Sequence, residues 1–408
     1  MRRLLTPREQ RFHDLAAELA DEFAQRADQH DRENSFPFEN FEKLQSSGYL
    51  KITVPEELGG MGASLTELTV AQERLAQGCC STALAVNMHT SPVGQLASLW
   101  RSSRDARLER WLRDVADGRV ISASLSAEPG APLLRHSTCT LTKVPGGYLL
   151  NGKKIFCTMS SVMTHFTTMA QFEDPAQGPV VHFFRLPKDA PGIRIIQTWD
   201  TLGVRATQSN DMALENVFVP EDAVFHTFPA YTLDGKMLQS VWGWAQPTFA
   251  ATYLGMAIGG MNAVRAYVLR MKKQNDPHIQ QAFAEMEALA ETAHALVYRV
   301  SEEMASGRIL SELEVQEGMA RVVLAKYVAS QNVTEIMNKA MVVAGGWGYS
   351  NRSPMPRYFR DARAATAQPY NLFDAADMIG KTALGVEVLP AVPIAGVTPD
   401  RQSFAKAA

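Results

Sequence analysis

The sequence predicts an α+β fold that is mostly α, and three observations in its 408 residues carry that expectation. Helical periodicity fills residues 1–120 and gives way at Val120 to alternating polar and apolar positions with turn signals. Beyond residue 228 the helical period returns. Residues 237–264 contain no Asp, Glu, Lys or Arg, which marks a helix at the centre of a helical core. The expected organisation is therefore a helical domain over 1–120, an antiparallel β domain over 121–228 and a helical bundle over 229–408.

The first helix is signalled locally and by period. Thr6 is placed to cap residues 7–32, Pro7 stands at the first helical position and Glu9 completes a capping box. Phe12, Leu15, Ala16, Leu19 and Phe23 then share one face. Helical stretches follow over 38–45, stopped by Ser46-Ser47-Gly48, and over 65–77, 82–99 and 104–117, with Pro92 expected to interrupt the third. In the β region Thr138, Thr140 and Thr142 alternate with Cys139 and Leu141, and Pro145-Gly146-Gly147 turns the chain. Asn151-Gly152 reads as a hairpin turn leading into Ile155-Phe156-Cys157. Further strands are expected over 167–172, 180–185, 193–198 and 212–219, and helices over 262–273, 278–306, 311–344 and 372–385. The tail 393–408 is expected to fray or to pair with a neighbour.

Composition narrows the function. With 40 Lys+Arg against 43 Asp+Glu the net charge is −3, which concentrates no polyanion, so no nucleic acid partner is expected. Four cysteines show neither a CxxC pair nor zinc spacing, which implies a reducing compartment and no structural metal. The start, Met-Arg-Arg-Leu-Leu, lacks the apolar region of a secretory signal, so the expected location is cytoplasmic. Residues 237–264 are long enough to cross a bilayer, yet Gln239, Ser240, Gln246, Pro247, Thr248 and Thr252 fit a buried helix, and no membrane span is expected.

Six segments then appear in a telling order: VPEELGGMG at 54–62, LSAEPG at 125–130, NGKKIFCT at 151–158, LGVRATQSND at 202–211 followed by VFVP, AGGWGY at 344–349 and RDAR at 360–363. Together they resemble the acyl-CoA dehydrogenase superfamily over most of the chain. The resemblance implies FAD bound between the β domain and a C-terminal four-helix bundle, in a homodimer or homotetramer. It implies that Phe156 packs on the flavin where relatives usually carry Trp, that Thr158 hydrogen-bonds near flavin N5, and that Ser126 meets the pyrimidine end. It further implies that Gly345 and Gly346 approach a neighbouring subunit's FAD, and that Lys272, or Arg270 two residues earlier, supplies the cation for that FAD's diphosphate. Ala131-Pro132-Leu133-Leu134 replaces the family's Gly-Ser-Asp, so one diphosphate contact is lost or supplied by another group. Taken without the resemblance, Phe156 and Thr158 are same-face strand positions and the glycines a helix stop.

The resemblance also exposes a gap. Acyl-CoA dehydrogenation needs a carboxylate to take the α proton while hydride leaves the β carbon for the flavin. The family's Glu falls at Pro369, or in some members within Trp244-Ala245-Gln246-Pro247, and neither place holds an acid. Asp374, Tyr370 and His89 remain as candidate catalytic groups. Three readings follow: a dehydrogenase of an acyl thioester with a displaced or atypical base and an electron-transfer partner; a monooxygenase of the same fold that takes reduced flavin, FAD or FMN, from a flavin reductase and acts on a small molecule with O2; and a base-less, flavin-binding structural member. The abundance of relatives favours the first. Trp242, Trp244 and the missing charges for CoA favour the second, whereas Gln368, standing where such relatives often carry His, counts against it.

Overall fold

The computed structural model describes residues 4–130 and 136–394, and Ala131-Pro132-Leu133-Leu134 and most of the 393–408 tail lie outside them. Five helices open the chain: α1 (Pro7–Glu33), α2 (Phe38–Ser46), α3 (Leu65–Ala76), α4 (Cys80–Ser103) and α5 (Ala106–Ala116). The capping box at α1 forms, with Glu9 N–H donating to Thr6 Oγ1 at 3.2 Å and Thr6 N–H to Glu9 Oε2 at 2.8 Å. A second box, Ser64 with Glu67, starts α3. Helix α4 runs straight through Pro92, contrary to the expected interruption. Most residues of α4 are buried, and packing on every side holds the helix together despite the hydrogen bond the proline omits.

The β region is one sheet of β1 (Ser122–Ser124), β2 (Thr140–Val144), β3 (Gly147–Cys157), β4 (His165–Asp174), β5 (Gly178–Pro187), β6 (Ile193–Ile196), β7 (Asn210–Pro220) and β8 (Val224–Pro229). The order is β6-β7-β3-β2-β4-β5-β8, with β1 beside β4. Its ladders are antiparallel except β1 with β4 and β2 with β4. Asn151-Gly152 is not a hairpin turn: both residues lie inside the continuous strand β3, between β2 and β7. The register shifts there, Asn151 Oδ1 accepts from Asn216 N–H at 2.9 Å, and a Cβ on Gly152 would lie 2.5 Å from Cys139 Sγ. Local turn chemistry has been recruited to a bulge between two partner strands.

After β9 (Leu233–Asp234), α6 (Gly235–Met237) and one π-helical turn comes α7 (Gly243–Arg270), followed by α8 (Pro277–Ala305), α9 (Arg308–Glu312), α10 (Val315–Tyr349), α11 (Met355–Ala367) and α12 (Leu372–Ala383); β10 (Ala391–Val392) pairs with β9. The uncharged segment becomes α7, buried on nearly every face against α3, α4, α8 and α10. No helix among the described residues is long and apolar enough to cross a membrane. Helix α11, which carries the RDAR segment, was not among the expected helices.

Two sets of buried contacts fix the parts relative to one another. Within the β region Glu128 and Lys154 pair with both side chains wholly buried; Glu128 also accepts from Ser137 Oγ (2.6 Å) and Thr138 Oγ1 (2.8 Å), and Lys154 Nζ donates to Met169 O (2.7 Å). Burial alone would raise the Glu128 carboxyl, but Lys154 and the hydrogen bonds hold it below the ordinary carboxylate value. At the junction of the three regions Arg360 on α11 pairs with Asp31 on α1 (Nη1 to Oδ1, 3.0 Å), and Arg205 Nε donates to the Asp31 carbonyl at 2.9 Å. Gly203 lies so close to α11 that a Cβ would stand 2.4 Å from Arg360 O. Lys154→Met would leave Glu128 buried without its cation, and urea denaturation should show a loss of about 3–5 kcal/mol. Unfolding at the wild-type midpoint would show that the pair does not hold the sheet.

Candidate active site

The junction encloses a cavity of about 440 Å³ between α4, the β sheet, α7 and α11. On the sheet side a bulge between Lys154 and Cys157 puts Phe156 at φ 54° and turns its ring into the cavity, where it is 57% exposed and meets Trp199 edge-on at 6.1 Å. Beside it Thr158 Oγ1 lies 2.9 Å from Ser209 Oγ, which lies 2.8 Å from Thr207 Oγ1, a chain of three hydroxyls along the wall. Ser126 Oγ and Asn87 Nδ2, both on lining residues, are buried without a hydrogen-bond partner among the described residues. Asn87 Oδ1 is occupied by Gln72 Nε2 at 2.8 Å, so the amide can only offer its N–H groups to the cavity.

The facing wall is largely apolar, with Leu84 and Met88 from α4 and Trp242, Ala245 and Phe249 at the start of the C-terminal region. Its far end is the segment after α11. There Lys326, buried on α10, donates to the carbonyls of Ala365 (2.6 Å), Gln368 (2.6 Å) and Tyr370 (2.9 Å), and burial pushes its ammonium down to about 7. Gln246 Nε2 donates to the Pro369 carbonyl at 3.3 Å. Among the described residues lining the cavity there is no carboxylate and no imidazole; the charges are Arg360, tied to Asp31, and Arg363.

Of the residues predicted from sequence, the structure brings Ser126, Phe156 and Thr158 to this cavity. Arg270 and the Gly345-Gly346 pair meet elsewhere: Arg270 lies over the stacked rings of Tyr267 and Trp347, and α10 breaks at Gly345 (φ 54°, ψ −140°), where a side chain would meet open space. Lys272 is exposed just past the end of α7. None of the three candidate catalytic groups lines the cavity. His89 is buried, its Nε2 2.7 Å from Leu50 O and its Nδ1 accepting from Ser122 N–H at 3.0 Å, and burial lowers its proton affinity, so it is a neutral structural bridge. Tyr370 packs on Trp242 with ring centroids 4.9 Å apart, behind Pro369. Asp374 is exposed in the first turn of α12, where Asn371 Nδ2 donates to it at 2.8 Å. Trp199, Tyr253, Asn87 and the Ser209–Thr207 hydroxyls were missed, since single polar or aromatic residues far apart in sequence carry no spacing signal.

An exposed aromatic face next to orphaned polar atoms suits a flat heterocycle with a polar edge, because each buried group left unpaired costs about 1–3 kcal/mol until a ligand satisfies it. The helical, β, helical order with such a cavity at the junction is that of a flavoprotein oxidoreductase. The chain matches the N-terminal, middle and C-terminal domains of acyl-CoA dehydrogenase over residues 6–119, 126–217 and 236–368, and it belongs to that family. Amino sugar nitrososynthase RubN8 of Streptomyces rubradiris is 30% identical over 379 residues, covering 88% of this chain and 85% of its own. Mitochondrial isovaleryl-CoA dehydrogenase of Solanum tuberosum is 28% identical over 367 residues, 87% and 85% of the two chains. The X-ray structure of KijD3 in complex with FMN and dTDP-3-amino-2,3,6-trideoxy-4-keto-3-methyl-D-glucose is similar at TM-score 0.82 and 27% identity, over 94% of this chain and 95% of that one.

The wall segment around Gly203 is held by Asp361, whose Oδ1 accepts from Val204 N–H at 2.6 Å while Oδ2 is buried without a hydrogen bond among the described residues and Arg357 stands 3.9 Å away. Burial, only partly offset by Arg357, pushes the Asp361 carboxyl up from 3.8 to about 6. Between those values the folded chain keeps a proton that the unfolded chain has released, so Asp361 makes stability fall as pH rises from about 4 to about 6. Denaturation midpoints across this range should decline less steeply in Asp361→Asn than in the wild type. Parallel curves would remove Asp361 as their cause.

Proposed function

We propose that the protein is a flavin-dependent monooxygenase of a small molecule, fed by a flavin reductase, and that N-oxygenation of an amine is the first reaction to test. The observation that carries this reading is a cavity with no carboxylate among the described residues that line it. An acyl thioester there would meet no base for its α proton, and general base catalysis is worth roughly 10²–10⁴-fold. Oxygenation needs no such base. A likeness to nitrososynthases, one similar structure holding FMN and a dTDP-amino sugar, supports the choice of amine.

In this reading Phe156 and Trp199 pack against the ring of FMN or FAD, Ser126 supplies a hydrogen bond at its polar edge, and the Thr158–Ser209–Thr207 chain takes or gives one beside it. Leu84, Met88, Trp242 and Phe249 keep water from the reacting face. When bound, reduced flavin supplies the two electrons that let one atom of O2 enter the substrate while the other leaves as water. An amine must arrive as its free base, since no acid in the wall would hold an ammonium ion. With flavin, a flavin reductase, NADH and ¹⁸O2, a dTDP-amino sugar should gain labelled oxygen, and anaerobic butyryl-CoA should leave the oxidised flavin spectrum unchanged. Fast bleaching by butyryl-CoA would reverse the assignment and return the protein to the dehydrogenases.

We further infer a homodimer or homotetramer. Support comes from the apolar side chains left on α10, α12 and the turn after α12: Val342 (81% exposed), Tyr349 (86%), Phe373 (90%) and Leu384 (81%). Arg270 lies over the Trp347 ring, two residues from Gly345, and neither Arg270 nor Gly345 lines the protein's own cavity, which leaves them free for the role the resemblance implies at a neighbouring subunit's flavin. Light scattering at micromolar concentration should return a multiple of 44.9 kDa, with an interface well over about 2,000 Å². A 44.9 kDa particle would contradict it.

A further inference from the structure

Gln368 is gripped from three directions. Its backbone carbonyl accepts from Lys326 at 2.6 Å, the next carbonyl, that of Pro369, accepts from Gln246, and its side-chain Oε1 accepts from the hydroxyl of Tyr253 at 2.6 Å. Tyr253, Lys326 and Gln246 are all buried. The Tyr253 hydroxyl makes no other hydrogen bond among the described residues, and a buried phenol proton must find an acceptor. That requirement sets the amide the right way round: Oε1 faces Tyr253, and Nε2 keeps two hydrogens with no protein acceptor among the described residues. Both Gln368 and Tyr253 line the cavity.

An amide so held is neither acid nor base near neutral pH, but it is a donor whose orientation is paid for in advance by the fold. We propose that Gln368 Nε2–H contacts the substrate directly as a hydrogen-bond donor to an oxygen acceptor, a carbonyl, hydroxyl or oxyanion close to the reacting atom, and that Tyr253 is the residue that positions it. The substrate class is thereby narrowed to molecules with an acceptor oxygen next to the site of reaction. This rests on the cavity being the substrate site, as proposed above, and not on oxygenation as the reaction.

The test uses two probes of nearly the same shape, acetophenone and α-methylstyrene, which differ by a carbonyl oxygen in place of a methylene. Equilibrium dialysis against the purified, flavin-loaded protein gives the ratio of Kd for α-methylstyrene to Kd for acetophenone. That ratio should fall about 2- to 10-fold in Gln368→Leu, the range expected for one neutral hydrogen bond, and by a smaller factor in Tyr253→Phe, where the amide is free to turn. Gln368→Glu, which presents an acceptor, should lower it at least as far as Gln368→Leu. A variant that merely loosens packing weakens both probes alike and leaves the ratio alone. An unchanged ratio in Gln368→Leu and Gln368→Glu, or no measurable binding of either probe to the wild type, overturns the proposal, and an unchanged ratio in Tyr253→Phe alone overturns the role of Tyr253. Failure of ¹⁸O incorporation leaves the ratio unaffected, so the two readings fail separately.

Discussion

Asp31 is claimed from two sides, and the cavity exists because both claims are met. Its carboxylate holds Arg360 of α11, and its carbonyl holds Arg205 of the loop between β6 and β7. One residue near the end of α1 thereby ties the last helical region and the sheet to the first. Around it Arg357 pairs with Asp28 at 2.6 Å, Asn34 donates to Trp199 O at 2.6 Å, and Gln208 donates to Asn34 O at 2.6 Å. Trp199, Gly203 and Val204 are cavity-wall residues set in place by these contacts and by Asp361, so the contour of the site is fixed by ion pairs and hydrogen bonds between regions far apart in sequence.

That dependence explains which features could be read from the chain alone. The capping box at Thr6, the face of α1 and the burial of α7 are local or periodic and were legible. Asn151-Gly152 was misread because its turn propensity is real, but strand pairing on both sides outweighs it and the residues form a bulge. Pro92 was misread because a break was assigned from one missing hydrogen bond, a deficit that the packing around α4 overrides. Helix α11 was missed because charged residues and alanines dominate it, so its buried face, Tyr358, Asp361, Ala362 and Ala365, gives only a thin apolar stripe. For the site, Phe156, Thr158 and Ser126 were found through motif order. Tyr253 and Gln368, 115 positions apart, meet only after the fold has closed.

The relatives of this chain include proteins named dehydrogenases and proteins named nitrososynthases. Pro369, which the resemblance aligns with the family's Glu, has its carbonyl bound by Gln246. That stretch of wall is closed by backbone groups satisfied within the protein, and no carboxylate or imidazole lines the cavity among the described residues.

Lys326 carries a consequence of a different kind. Its three donors are taken by three carbonyls, and no carboxylate is among its hydrogen-bond partners. Burial lowers its pKa to about 7, so as pH rises through that value the ammonium becomes an amine with two hydrogens for three carbonyls. One of the carbonyls of Ala365, Gln368 and Tyr370 is then left without its donor, and the segment they belong to is held less firmly. The hold on that wall is therefore titratable, since the same lysine that shapes it loosens it on the alkaline side of neutrality.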